Sequence, residues 1–66
     1  MIVKVNGEEI ELEDGKNVSD LLQRYDLQPE AVAVEINYEI IPRFRYGEVQ
    51  LKLGDCIEIV NFVGGG

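Results

Sequence analysis

The sequence predicts an α+β domain, a small mixed sheet of four to five strands packed on one helix. Three observations carry that expectation. Apolar residues alternate with polar ones at Val3/Val5, Ile10/Leu12, Val32/Val34/Ile36 and Ile57/Ile59, the period of half-buried strands. One stretch changes period: Val18, Leu21, Leu22 and Tyr25 stand at i, i+3, i+4 and i+7, one face of a helix. The chain has 66 residues, enough for a single economical core and no second domain.

Each element follows in order. Residues 1–15 read as a hairpin, because Asn6-Gly7 lies between two alternating runs and Asp14-Gly15 ends the second. Asn17 is placed to cap the helix, with Asp20 in its first turn, and Pro29 prevents the helix from running on. Residues 31–36 form a third strand. Asn37-Tyr38 is a candidate turn into a short strand at Glu39–Ile41, which Pro42 stops or marks as an edge. Residues 43–51 read as loop with a short helical or extended turn. Leu53-Gly54-Asp55 turns into the last strand, residues 56–63, with Ile57 and Ile59 inward and Cys56, Glu58, Val60 and Phe62 on the other face. The order β-β-α-β-β-β lets the first and last strands lie side by side in parallel. The helix covers one sheet face and leaves the other wet, which suits the alternating glutamates.

Charge and composition narrow the chemistry. Six Lys and Arg stand against 13 Asp and Glu, a net charge of -7. Such a surface repels phosphate backbones, so nucleic acid is not an expected partner. The interleaved Arg43, Phe44, Arg45 and Tyr46 are read as one core aromatic with surface arginines rather than a base-stacking platform. No apolar run is long enough to span a bilayer, and the first ten residues carry charges inside their apolar run, unlike a signal peptide. One cysteine allows no internal disulfide. A cytoplasmic protein without membrane association is expected.

Reactive groups are few. The absence of His removes an imidazole base and histidine metal ligands. Cys56 has no His partner and is read as structural, behaving as a small hydrophobe. Glu9, Glu11 and Glu13 share a strand face and, with Glu8 and Asp14, read as a solvated edge that resists pairing. The glycine spacing and Lys-Ser/Thr pair of a phosphate loop are missing. No catalytic residue, metal site or bound cofactor is expected.

What remains is the end, Asn61-Phe62-Val63-Gly64-Gly65-Gly66. A domain of residues 1–63 would carry a flexible glycine tail, residues 64–66. Glycine has no side chain to obstruct a narrow channel, and three residues reach about 10 Å. A terminal carboxylate, ionised at neutral pH, can attack the α-phosphate of ATP in another enzyme's site to give an acyl-adenylate. A sulfur nucleophile then displaces AMP and leaves a thiocarboxylate. The plainer reading is a frayed end. Ordering three glycines costs roughly 3–6 kcal/mol, so affinity must come from the domain. Val60 and Phe62, rimmed by Glu58, are the expected docking surface, with closure of the core's end by Phe62 as the alternative.

The chain resembles the ThiS family, the ubiquitin-like β-grasp sulfur carriers of thiamine biosynthesis. The resemblance covers essentially the whole length and rests on "VNG", "NVSDLL", "VAVEINYEIIPR", "LGDCIEIVNFV" and the terminal glycines. It implies a carrier, not an enzyme. Gly66 would be the modified residue, adenylated and thiocarboxylated, with Gly65 its partner in the motif and Gly64 an added glycine. The motif ends the chain, so no precursor cleavage is implied. The implied partners are a ThiF-like adenylating enzyme that consumes ATP, a sulfur donor system drawing on cysteine, and a ThiG-like thiazole synthase. Related carriers serve molybdopterin synthesis, tRNA thiolation or cysteine synthesis, and protein modifiers share the activation step. A β-grasp interaction module with passive glycines completes the alternatives.

Overall fold

In the computed structural model, which describes residues 1–62, five strands form one mixed sheet with a single α-helix against one face. The expected boundary between residues 63 and 64, and the tail beyond it, lie outside the described residues. The strands are β1 (Ile2–Val5), β2 (Glu8–Glu11), β3 (Val32–Ile36), β4 (Glu39–Ile41) and β5 (Cys56–Asn61), in the spatial order β2-β1-β5-β3-β4. β1 and β5 are parallel, and the other neighbouring pairs are antiparallel. The last strand is therefore the central one.

Both hairpins close in two residues, as the registers Val5↔Glu8 and Ile36↔Glu39 require. Their central residues all have positive φ: Asn6 51° and Gly7 87°, Asn37 51° and Tyr38 72°. That combination matches the right-handed twist of the flanking strands. β2 is shorter than expected and ends at Glu11. Glu13 thus leaves the strand's face and pairs with Lys16 at 3.6 Å, while Leu12 still enters the core.

The helix α1 (Val18–Arg24) spans only seven residues, too few to be stable alone. Its ends are well satisfied. The Asp20 N–H donates to Asn17 Oδ1 (2.8 Å) and the Asn17 N–H to Asp20 Oδ2 (2.9 Å), a reciprocal cap. The Val18 and Ser19 N–H groups, which have no intrahelical acceptor, donate to the carbonyls of Val49 and Tyr46. Termination occurs before Pro29. Asp26 turns left-handed (φ 58°), and the Leu27 and Asp26 N–H groups reach back to the Leu22 and Gln23 carbonyls, a Schellman closure. Tyr25 consequently caps the helix and stays 40% exposed, rather than joining the buried stripe of Val18, Leu21 and Leu22.

The core lies between α1 and the sheet: Val3 and Val5 of β1, Val32, Val34 and Ile36 of β3, Ile57 of β5, and Leu12, Tyr46 and Leu51 from connections. A short 3₁₀ turn at Pro29–Ala31 leads into β3, and a second at Arg43–Arg45 follows Pro42. After it the chain passes alongside the start of α1. There Tyr46 is buried and its hydroxyl donates to the Val32 carbonyl (3.4 Å). Phe44 and the two arginines stay outside, as the core-aromatic reading requires. Among the described residues no helix is long and apolar enough to cross a membrane.

Candidate functional site

β5 has Val- and Ile-rich alternation, so its two faces differ. Ile57 is buried under α1 and Ile59 packs at the core's edge. Cys56, Glu58 and Val60 take the open face of the sheet, and Phe62 follows in the same alternation. Cys56 is exposed, as its expected place on the face opposite Ile57 and Ile59 requires, and it does not pack as a small hydrophobe. The pairing Lys4↔Cys56 beside Val5↔Ile57 puts Cys56 on the Lys4 side of the sheet, away from the helix.

The open face is graded along β5. At its start stand Cys56 and Lys4. In the middle Glu58 lies directly opposite Glu35 across an antiparallel pair, an arrangement that like-charge repulsion disfavours by about 0.2–1 kcal/mol. Ile40 continues that row on β4, opposite Glu35, and is 76% exposed. Nearest the terminus Val60 lies opposite Ala33, and Pro42, which follows Ile41↔Val34, extends the row. Val60 and Phe62 are more than half exposed, at 57% and 58%. Phe62 therefore does not close the core. The predicted residues Glu58, Val60 and Phe62 thus share one surface, apolar at its end and acidic behind it. Gly64, Gly65 and Gly66 lie outside the described residues.

Two asparagines hold this strand from opposite flanks. The Asn37 N–H donates to the Cys56 carbonyl (2.8 Å), while the Cys56 N–H donates to Asn37 Oδ1 (3.0 Å). Asn37 Nδ2 donates to Asp55 Oδ1 (3.0 Å), and Asp55 Oδ2 accepts from the Lys52 N–H (2.8 Å). Asp55 is the buried carboxylate of the described residues, and this network satisfies both its oxygens. On the other flank Asn6 grips Ile59. Sequence reasoning placed both asparagines in turns and missed their second task, since their partners lie far along the chain. The signal was the predicted topology itself: both turns flank the same strand. Among the described residues no cluster of His, Cys, Asp or Glu is arranged to hold a metal ion. What the surface offers is an exposed apolar strand end with an acidic residue behind it.

Comparison with known proteins identifies what such a strand end belongs to. The model of the ThiS family matches residues 3–66, the three terminal glycines included. The chain belongs to the ThiS family. The sulfur carrier protein ThiS of Bacillus subtilis (strain 168) is 46% identical over 66 residues, covering 98% of this chain and all of that one. A crystal structure of the thiamine biosynthesis protein ThiS from Geobacter metallireducens superposes with a TM-score of 0.80 at 37% identity, over the full length of both chains. The five-stranded mixed sheet on one helix is accordingly the ubiquitin-like β-grasp fold of the family. A thiazole synthase of Magnetococcus marinus is 42% identical over 66 residues, a match that takes in all of this chain and 20% of that protein.

Proposed function

We propose that the chain is the sulfur carrier of thiamine thiazole synthesis, with the cargo held as a thiocarboxylate on Gly66. Family membership through to Gly66 carries the reading, and the full-length likeness to a named sulfur carrier supports it. The chain is a carrier and leaves catalysis to its partners. A carboxylate oxygen of Gly66 attacks the α-phosphorus of ATP, forming a P–O bond as the bond to pyrophosphate breaks. A ThiF-like enzyme supplies that site, and ATP is bound there rather than by the carrier. A hydrosulfide-level nucleophile from the donor system then attacks the carbonyl carbon. AMP leaves with the bonding electrons, and the terminal group becomes a thiocarboxylate. Thiazole synthase is the recipient. The thiazole synthases that contain a segment 42% and 41% identical to this whole chain support that partnership.

Docking falls to Glu58, Val60 and Phe62. A tail of Gly64 and Gly65 before Gly66 gives almost no side-chain contact, so the domain must supply the affinity. The deciding experiment is intact mass after incubation with the activating enzyme, ATP and a sulfide donor. The expected gain corresponds to one oxygen replaced by sulfur, localised to Gly66 by fragmentation. An unchanged mass with an enzyme active on its own carrier refutes the proposal. Phe62→Ala should raise the KM for the carrier at least tenfold while the domain stays folded, and an unaltered KM removes Phe62 from the docking surface.

A further inference from the structure

β5 is not supported equally on its two flanks. On the β3 side pairing runs from Ile57 to Asn61, and the Phe62 N–H still donates to the Ala31 carbonyl (2.6 Å). On the β1 side strand pairing stops at Val5↔Ile57, because the chain turns away into the hairpin. Asn6 extends that flank. Its N–H donates to the Ile57 carbonyl (2.8 Å), and its side chain then takes the place of the next residue of a strand. The Ile59 N–H donates to Asn6 Oδ1 (2.8 Å), and Asn6 Nδ2 donates to the Ile59 carbonyl (3.3 Å). Beyond this grip lies an open groove of about 290 Å³, bordered by Tyr25, Leu27 and Asn61.

We infer that Asn6 is a positioning residue for the chemistry at Gly66. It fixes β5 on its less supported flank and so, together with the β3 pairing that continues to Phe62, steadies the root from which the chain leaves the sheet. The inference rests on the proposed modification of Gly66. An adenylating site accepts the terminus in one narrow geometry, and a root held still at Ile59 leaves the docked carrier fewer arrangements to sample before that geometry is reached. Left-handed backbone at Asn6 (φ 51°) aims the amide back along β5. The residue thus makes the turn and grips the strand with one side chain.

These two tasks can be separated. Asn6→Gly keeps the left-handed turn, which glycine adopts freely, and removes the amide. Asn6→Asp keeps an acceptor for the Ile59 N–H but sets a carboxylate against the Ile59 carbonyl. Each full-length variant is compared with the wild-type chain for adenylation by the activating enzyme, at a temperature where circular dichroism shows all three folded. For Asn6→Gly, kcat should fall about tenfold with KM for the carrier unchanged, since the docking face is untouched. Amide exchange at Ile59 should rise at least tenfold in the same variant. Asn6→Asp should fall between it and wild type on both measures. Normal adenylation of wild type together with an unchanged kcat for Asn6→Gly overturns this inference alone. A wild-type chain that is never adenylated overturns the proposed function and this inference with it.

Discussion

The turns Asn6-Gly7 and Asn37-Tyr38 have nearly the same backbone and grip the same strand, yet they differ in what surrounds them. Both begin with Asn at φ 51°. Because β1 runs parallel to β5 and β3 antiparallel, the two grips fall at opposite ends. Asn37 holds the start of β5 through Cys56 and joins the buried Asp55 carboxylate. Asn6 holds Ile59, near the end that leads to the glycines, through exposed bonds alone. The contrast teaches that one end of β5 is anchored in the interior, while the other is trimmed at the surface. On the proposed function a carrier benefits from that division, because the root of the end that carries Gly66 can be held without burying it.

Breaking the grip at Asn37 should have the largest effect on the fold. Asn37→Ala loses the Cys56 bond, leaves Asp55 Oδ1 without its amide partner, and places a β-carbon-only side chain at φ 51°. A lost bond to a charged, buried group and a left-handed penalty together amount to about 3 kcal/mol. At roughly 0.05–0.15 kcal/mol per residue, that is a large part of the stability of any domain this small. The melting temperature should drop by about 10–20 °C in calorimetry. A drop under 3 °C would mean that the two turns anchor β5 equally weakly.

These grips also mark where sequence reading ran out. Strand alternation, the asparagine turns, the Asn17 cap and the open-face placement of Glu58, Val60 and Phe62 are local patterns, and the structure carries all of them. The bonds from Asn6 to Ile59 and from Asn37 to Cys56 join distant positions, and nothing local announces them. For residues 46–51 the sequence announced one core aromatic but neither which one nor why the segment packs there. Tyr46 and Leu51 enter the core because the chain there answers the bare N–H groups of α1, a demand visible only once the helix has a neighbour. Strand parity, fixed by Ile57, turned Cys56 outward as expected, and only its reading as a packed small hydrophobe, taken from the habits of free cysteine, fails. Parity was the stronger argument. The terminal glycines were legible as a motif, and they lie outside the described residues.

The second positions of the turns sharpen the comparison further. Gly7 sits at φ 87°, and a Cβ built there meets no atom within 4 Å. Gly7→Ala therefore tests conformation without a steric clash. It should destabilise by about 1–2 kcal/mol, the left-handed penalty of a residue with a side chain, measured by urea denaturation with an unchanged m-value. A neutral result would show that the hairpin tip relaxes, and with it the aim of the Asn6 amide.

Tyr38 is the reverse case and the smallest effect. It occupies the position where Gly serves in the other turn, at φ 72°, and is 92% exposed. Its ring gains little from burial there, so its left-handed backbone is nearly uncompensated strain. Tyr38→Gly should remove that strain, about 1–2 kcal/mol, against roughly 0.4–1 kcal/mol for the greater freedom glycine gives the unfolded chain. The balance is a stabilisation of about 0.5 kcal/mol, read as a small rise in the urea midpoint at constant m-value. If the variant is instead less stable than wild type, the ring makes a contact in the folded protein that outweighs its backbone cost. The turns would then differ in function as well as in depth, with Tyr38 supporting the anchored end from outside.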